Sequence, residues 1–257
     1  MKMKSMLCAA LCAISLFTSC KKDKNQDPPP PPPVVSNVFA PSTGKLVQYL
    51  FDGNTRDTSG NHNNGGESND LAYGTDRFNV ANSALVLNGT SSMSEITSPA
   101  VQFPFSYSLW INGSNTAAVS TIFHTDRGAG SYYGCWLQLS PGTPSKLAFN
   151  FGNGTSTSGS GRNSLLSSVT LSNNQWYHIV INVRGQDDMD MYINGVKDAN
   201  AEYDGSASTI QYAFTNPIGL IGTAFGGQYF AGKMDDFRVY NRVLTPTEIS
   251  GLYNYHP

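Results

Sequence analysis

Phe230-Ala-Gly-Lys-Met-Asp-Asp-Phe-Arg-Val-Tyr-Asn-Arg242, running into Thr245-Pro-Thr-Glu248, is the stretch on which the fold of this chain turns. From Met234 to Tyr240 side chains of different character alternate, the period of a strand with one face buried. In that parity Asp235 falls with Phe237 and Val239, toward a core, while Asp236, Arg238 and Tyr240 point the other way. A carboxylate on the buried face costs on the order of several kcal/mol unless it meets a metal, a cation or several backbone donors. Thr245 is a helix N-cap, Pro246 suits the first helical position, and Glu248 stands three residues after the cap. Ile249, Leu252 and Tyr253 then share one face, so the strand leads into a short helix expected to pack against a sheet edge.

Working back along the chain, apolar or alternating runs recur between turn signals: 46–51, 84–87, 105–111, 135–139, 146–151, 176–183, 189–193 and 218–221. Asn88-Gly89, Asn112-Gly113, Asn153-Gly154 and Asn194-Gly195 favour positive φ and mark strand ends. The run 176–183 is apolar on both faces and reads as a central strand. Strands throughout, with one terminal helix, predict an all-β fold of two packed antiparallel sheets. From residue 37 onward there are eleven Lys plus Arg against sixteen Asp plus Glu, with no basic cluster, which argues against nucleic acid as a partner.

The first residues have another character. Lys2 and Lys4 precede an apolar run from Met6 to Phe17, and Thr18-Ser19-Cys20 follows, the layout of a secretory signal peptide. The run is too short to span a bilayer as a helix. Phe17-Thr18-Ser19-Cys20 resembles a bacterial lipobox, with Phe17 where Leu is usual; the other reading is a plain signal peptide cut elsewhere. The expected organisation is a leader over 1–19, a lipidated stub and proline-rich linker over 20–36, and a folded domain over 37–257. Residues 28–33 are all proline and predict an extended, semi-rigid spacer. The expected location is a bacterial membrane, at the outer membrane or cell surface, with contact through the lipid alone. Cys135 then has no intramolecular partner, so the core must hold the fold.

Five ordered segments resemble laminin G-like domains of the concanavalin A-like jelly-roll family. They are 46–61, with Asp52-Gly-Asn54 and Asp57-Thr-Ser-Gly60-Asn61; 84–89; 105–111; the pair Trp176-Tyr-His178 and Tyr192-Ile-Asn194-Gly195; and the closing strand and helix, 230–253. The resemblance implies a two-sheet antiparallel jelly-roll sandwich with one short C-terminal helix. It also implies a structural calcium (Ca2+) in many relatives, beside the closing strand. Asp52, Asn54, Asp57, Asn64 and Asp235 are the candidate ligands, hard oxygens that suit that ion. The alternative is that Asp235 caps loop amides and Asp57 only shapes a turn.

Between 114 and 168 lie long Gly/Ser/Thr-rich loops without a family signature, where members usually differ in what they bind. Tyr132, Tyr133, Phe225 and Tyr229 sit in or beside Gly-rich loops, with Asp126 and Arg127 next to the first pair. Exposed rings stack on apolar sugar faces while polar groups bond hydroxyls, so these six are candidate glycan contacts. Trp136, within a strand, reads as packing. His178, in a central strand, reads as a hydrogen-bonded structural residue. Asp188 and Asp190 resemble the paired carboxylates of glycoside hydrolysis, or simply solvate a strand face. Hydrolases sharing the resembled fold carry Glu-x-Asp-x-Glu on one strand, and here Glu67, Glu95, Glu202 and Glu248 are isolated. The expected function is a non-catalytic surface module for a carbohydrate or glycoprotein. The alternatives are a glycoside hydrolase or lyase on the same fold, or a structural partner of an outer-membrane complex.

Overall fold

The computed structural model describes residues 39–66, 71–91, 94–97, 99–114, 119–126, 128–140, 145–224 and 227–256. The expected leader over 1–19, Cys20, the proline run, Glu67, Arg127 and Phe225 lie outside the described residues. The strands are β1 (Lys45–Tyr49), β2 (Ala72–Gly74), β3 (Ala84–Asn88), β4 (Ser94–Thr97), β5 (Phe105–Gly113), β6 (Ser120–His124), β7 (Cys135–Leu139) and β8 (Ser145–Gly152). After them come β9 (Arg162–Leu171), β10 (Trp176–Gly185), β11 (Asp188–Ile193), β12 (Val196–Lys197), β13 (Glu202–Gly205), β14 (Ile218–Ile221), β15 (Ala231–Tyr240) and the helix α1 (Pro246–Asn254).

They form two antiparallel sheets. The first has eight strands in the order β12-β11-β10-β5-β15-β3-β2, with β1 also paired to β15; the second has seven, β13-β9-β8-β7-β6-β14-β4. One apolar core lies between them, with Tyr107, Ile181 and Phe237 from the first sheet and Phe123, Leu137 and Phe149 from the second. The Tyr107 and Phe123 rings meet at 4.8 Å, and Phe237 packs edge-on to Phe123 at 5.4 Å. The predicted jelly-roll sandwich is therefore what this chain adopts. Of the four Asn-Gly pairs, Gly89, Gly154 and Gly195 carry positive φ. Gly113 instead closes β5, where a Cβ would fall 2.7 Å from the Phe230 ring.

One expectation fails inside β15. The pairing of β15 with β5 shifts between Asp235 and Arg238, and Asp236 has φ 53. This is a β-bulge, one extra residue that reverses the parity of everything before it. Met234 and Phe237 both face the core, and Asp235 lies opposite Trp110 on the outer face of the first sheet.

That outer face is covered. α1 begins with the predicted capping box: Thr245 Oγ1 accepts from Glu248 N at 3.3 Å, and Glu248 Oε2 accepts from Thr245 N at 2.9 Å. The helix lies on the face of the first sheet, not at its edge. Ile249 and Leu252 join Val180, Tyr192, Tyr240 and Leu244 in a second apolar cluster, with Ala40 against it. Asn182 ties down the approach to the helix, accepting from Leu244 N at 3.0 Å and donating to Leu244 O at 2.8 Å. The chain enters on this same side: Tyr240 Oη donates to Pro41 O at 3.1 Å and Arg242 Nε to Thr43 O at 2.8 Å.

Candidate ligand-binding cleft

The outer face of the second sheet carries an open cleft of about 600 Å³. Its floor follows from strand parity. Cys135, Leu137 and Leu139 of β7 turn into the core, so Trp136 and Gln138 turn out; Leu147, Phe149 and Phe151 of β8 turn in, so Ala148 and Asn150 turn out. Register then aligns these residues across strands. His124, Trp136, Asn150, Ser164 and Asp204 form one transverse row from β6 to β13. Thr121, Gln138, Ala148, Leu166 and Glu202 form the next. Five strands at ordinary spacing make a row roughly 19 Å long.

The floor mixes aromatic, aliphatic and amide groups and is mostly uncharged. Trp136 Nε1 donates to Gln138 Oε1 at 3.0 Å, Ser164 Oγ to Asn150 Oδ1 at 2.6 Å, and Arg162 both to Ser164 Oγ and, at 2.6 Å, to Asp204 Oδ2. Burial pushes the His124 imidazole down to about 4, so it is neutral at pH 7. Its ring meets Trp136 edge-on at 5.7 Å. Tyr132, from the β6–β7 loop, tilts over Trp136 at 5.2 Å and 31°.

Two of the six predicted glycan contacts, Tyr132 and Tyr133, line this cleft. Asp126 does not: it is fully buried, accepting from Gly128 N at 2.8 Å and Ala213 N at 2.5 Å, and so staples two loops. Tyr229 is half-buried beside β6 through a backbone bridge with Thr121, and from its loop the described lining is Ala224 and Gln228. Trp136, read from the sequence as packing, is indeed buried, packed against His124 and Tyr132, and it also lies in the cleft floor, as do Gln138, Asn150, Ser164 and Asp204. For Trp136, Gln138 and Asn150 the signal was the outward parity of β7 and β8, where aromatic and amide residues stand in place of most of the charges of a solvated face.

The candidate calcium ligands are committed elsewhere. Asp57 Oδ1 accepts from Gln48 N and Ser59 N, both at 2.9 Å, and Oδ2 from Ser59 Oγ at 2.7 Å and Asn63 N at 2.9 Å. Asn64 Oδ1 accepts from Asp57 N and Asn54 Oδ1 from Arg56 N, each at 2.9 Å, while Asp52 is exposed and gives its backbone oxygen to Asn54. Asp235 meets a cation of the protein, Arg77. Burial pushes the Asp235 carboxyl up, against the opposing pull of Arg77. Four of the five candidate side chains are thus engaged by the protein itself, and among the described residues no group of three or more His, Cys, Asp or Glu is placed to hold a metal.

His178 is 1% exposed and hydrogen-bonded to Ser108 at 3.0 Å; burial, with Arg238 and Arg77 nearby, lowers it to about 3. It is structural, as the sequence predicts. Asp188 and Asp190 pair with Arg184 at 3.0 and 2.8 Å, and Asp190 also with Lys197 at 2.6 Å, on the sheet that does not carry the cleft.

A jelly-roll sandwich with one face sealed by a helix and the other open as a cleft defines the class. The chain belongs to the concanavalin A-like lectin/glucanases superfamily, whose family model matches residues 88–250. A search of curated protein sequences finds no match. Among solved structures it is similar to domain 4 of AbnA, a GH43 extracellular arabinanase from Geobacillus stearothermophilus, in complex with arabinotriose. The TM-score is 0.58 at 22% identity, over 82% of this chain and 98% of that one. It is also similar to the binding domain of Paraclostridial Mosquitocidal Protein 1, with TM-score 0.62, 18% identity and 83% of this chain covered. The botulinum neurotoxin serotype D ligand binding domain, in complex with N-acetylneuraminic acid, gives TM-score 0.59, 16% identity and 82% coverage. This chain spans about half of either toxin domain, 52% and 51%.

Proposed function

We propose that this protein is a non-catalytic module that binds carbohydrate in the cleft over β6–β9, displayed at a bacterial membrane surface through a lipid on Cys20. The observation that carries the reading is the half-buried Tyr132 ring, tilted over the buried Trp136 ring of the floor, with the half-buried amide of Gln138 in the same cleft. Aromatic rings supply stacking area for a sugar's apolar face, and neighbouring amides and hydroxyls bond its oxygens. The solved complex of the arabinanase domain 4 with arabinotriose lends support, since this chain matches 98% of that domain. Among the described lining residues Asp204 is the single carboxylate, and it is paired with Arg162, whereas acid/base cleavage of a glycosidic bond uses two carboxyl groups; Glu202, at the end of the neighbouring row, is exposed and outside the lining.

The test is an oligosaccharide array probed with the wild-type protein and with Tyr132→Ala. Selective binding that falls at least about tenfold in the variant, with unchanged circular dichroism, is expected. Binding that survives Tyr132→Ala moves the site away from this cleft. In the same strain background, Cys20→Ser is expected to shift the protein from the membrane to the soluble fraction.

A further inference from the structure

Two charged side chains stand among the described lining residues of the cleft, Arg162 and Asp204, and they are bonded to each other at 2.6 Å. Arg162 is held a second time by Ser164 Oγ, so its guanidinium is tied at two points. Asp204 comes from the edge strand β13, where register sets it beside Ser164, and its side chain is 57% exposed. The remaining described lining is neutral at pH 7: the amides of Gln138 and Asn150, hydroxyls, the rings of Tyr132 and Trp136, and the uncharged His124.

An anionic sugar carries a carboxylate or sulfate into such a site. Removing that charge from water is unfavourable unless a cation with uncommitted charge receives it. Here the one described cation is already neutralised by Asp204. A neutral sugar meets no such penalty, and its hydroxyls match amide and hydroxyl partners that both donate and accept.

Resting on the carbohydrate reading of the cleft, we propose that its ligands are neutral oligosaccharides and that Asp204 is a specificity-determining residue, holding Arg162 from anionic sugars. Removing the Asp204 carboxylate turns Arg162 into a receptor for a sugar carboxylate, and the new attraction is sensitive to salt because the pair is partly exposed.

The test is calorimetric titration of the full protein at pH 7. One arm uses neutral gluco-, galacto-, xylo- and arabino-oligosaccharides; the other uses oligogalacturonides and sialyl-oligosaccharides. The expected result is a neutral ligand bound at least about tenfold more tightly than any acidic one, the scale of one missing charge-assisted hydrogen bond. Asp204→Ala is expected to raise affinity for the acidic set, with the gain lost at high salt. Acidic oligosaccharides bound as tightly as neutral ones by the wild type overturn the proposal and leave the carbohydrate site standing. Asp204→Ala without any gain removes the role given to Asp204. Binding of neither set by a folded protein takes away the carbohydrate reading and this inference together.

Discussion

Arg77 shows how a single side chain can hold distant parts of the chain together. It reaches from the segment between β2 and β3 to Asp235, lies 3.7 Å from Asp236, donates to Tyr255 O at 3.2 Å, and stacks over Phe78 at 4.5 Å and Trp110 at 4.8 Å. Arg238 adds a second cation, 2.8 Å from Asp236. All four charged groups are at most 4% exposed. Breaking one partner of such a cluster strands charge in a medium that solvates it poorly, so Arg77→Met is expected to cost about 3 kcal/mol or more. Urea denaturation followed by tryptophan fluorescence measures it; a loss under about 1 kcal/mol would show that water solvates Asp235. That Asp235 needs a partner is legible in its sequence position. That the partner is Arg77, 158 residues away, is not, because tertiary contact alone brings them together.

Among the elements, α1 was the most fully readable, since its cap, its proline and its apolar face are all local in sequence. Thr245→Ala removes one half of the capping box and is expected to lower stability by about 1 kcal/mol, read as a drop in thermal midpoint without change in the sandwich's circular dichroism. Most strands were also legible, through alternation. The bulge in β15 was not: its only local trace is an Asp at positive φ, a conformation Asp tolerates without announcing it. The cleft was half legible for a related reason. Tyr132 and Tyr133 stand out in a Gly-rich loop, but Trp136, Asn150 and Ser164 become one surface only when cross-strand register is known. Register depends on turn lengths and bulges, which alternation does not report.

On the scale of the whole molecule, the two outer faces have opposite fates. The first sheet is closed by α1, the buried charges and the entering chain; the second is left open with a floor that has almost no net charge. Among the described residues the opening loop is held together by the amides that Asp57 accepts, so a chelator is expected to leave the thermal midpoint unchanged, and a calcium-dependent rise of several degrees would mean that an ion joins the loop. The bonds from Tyr240 to Pro41 and from Arg242 to Thr43 carry a mechanical consequence. With the proposed anchor on Cys20, force from a ligand held in the cleft would cross the inter-sheet core and leave through the N-terminal segment on the far side. It would peel β1 from β15 beginning at the Lys45 and Tyr240 pair, and those two bonds sit in front of that pair as a clamp.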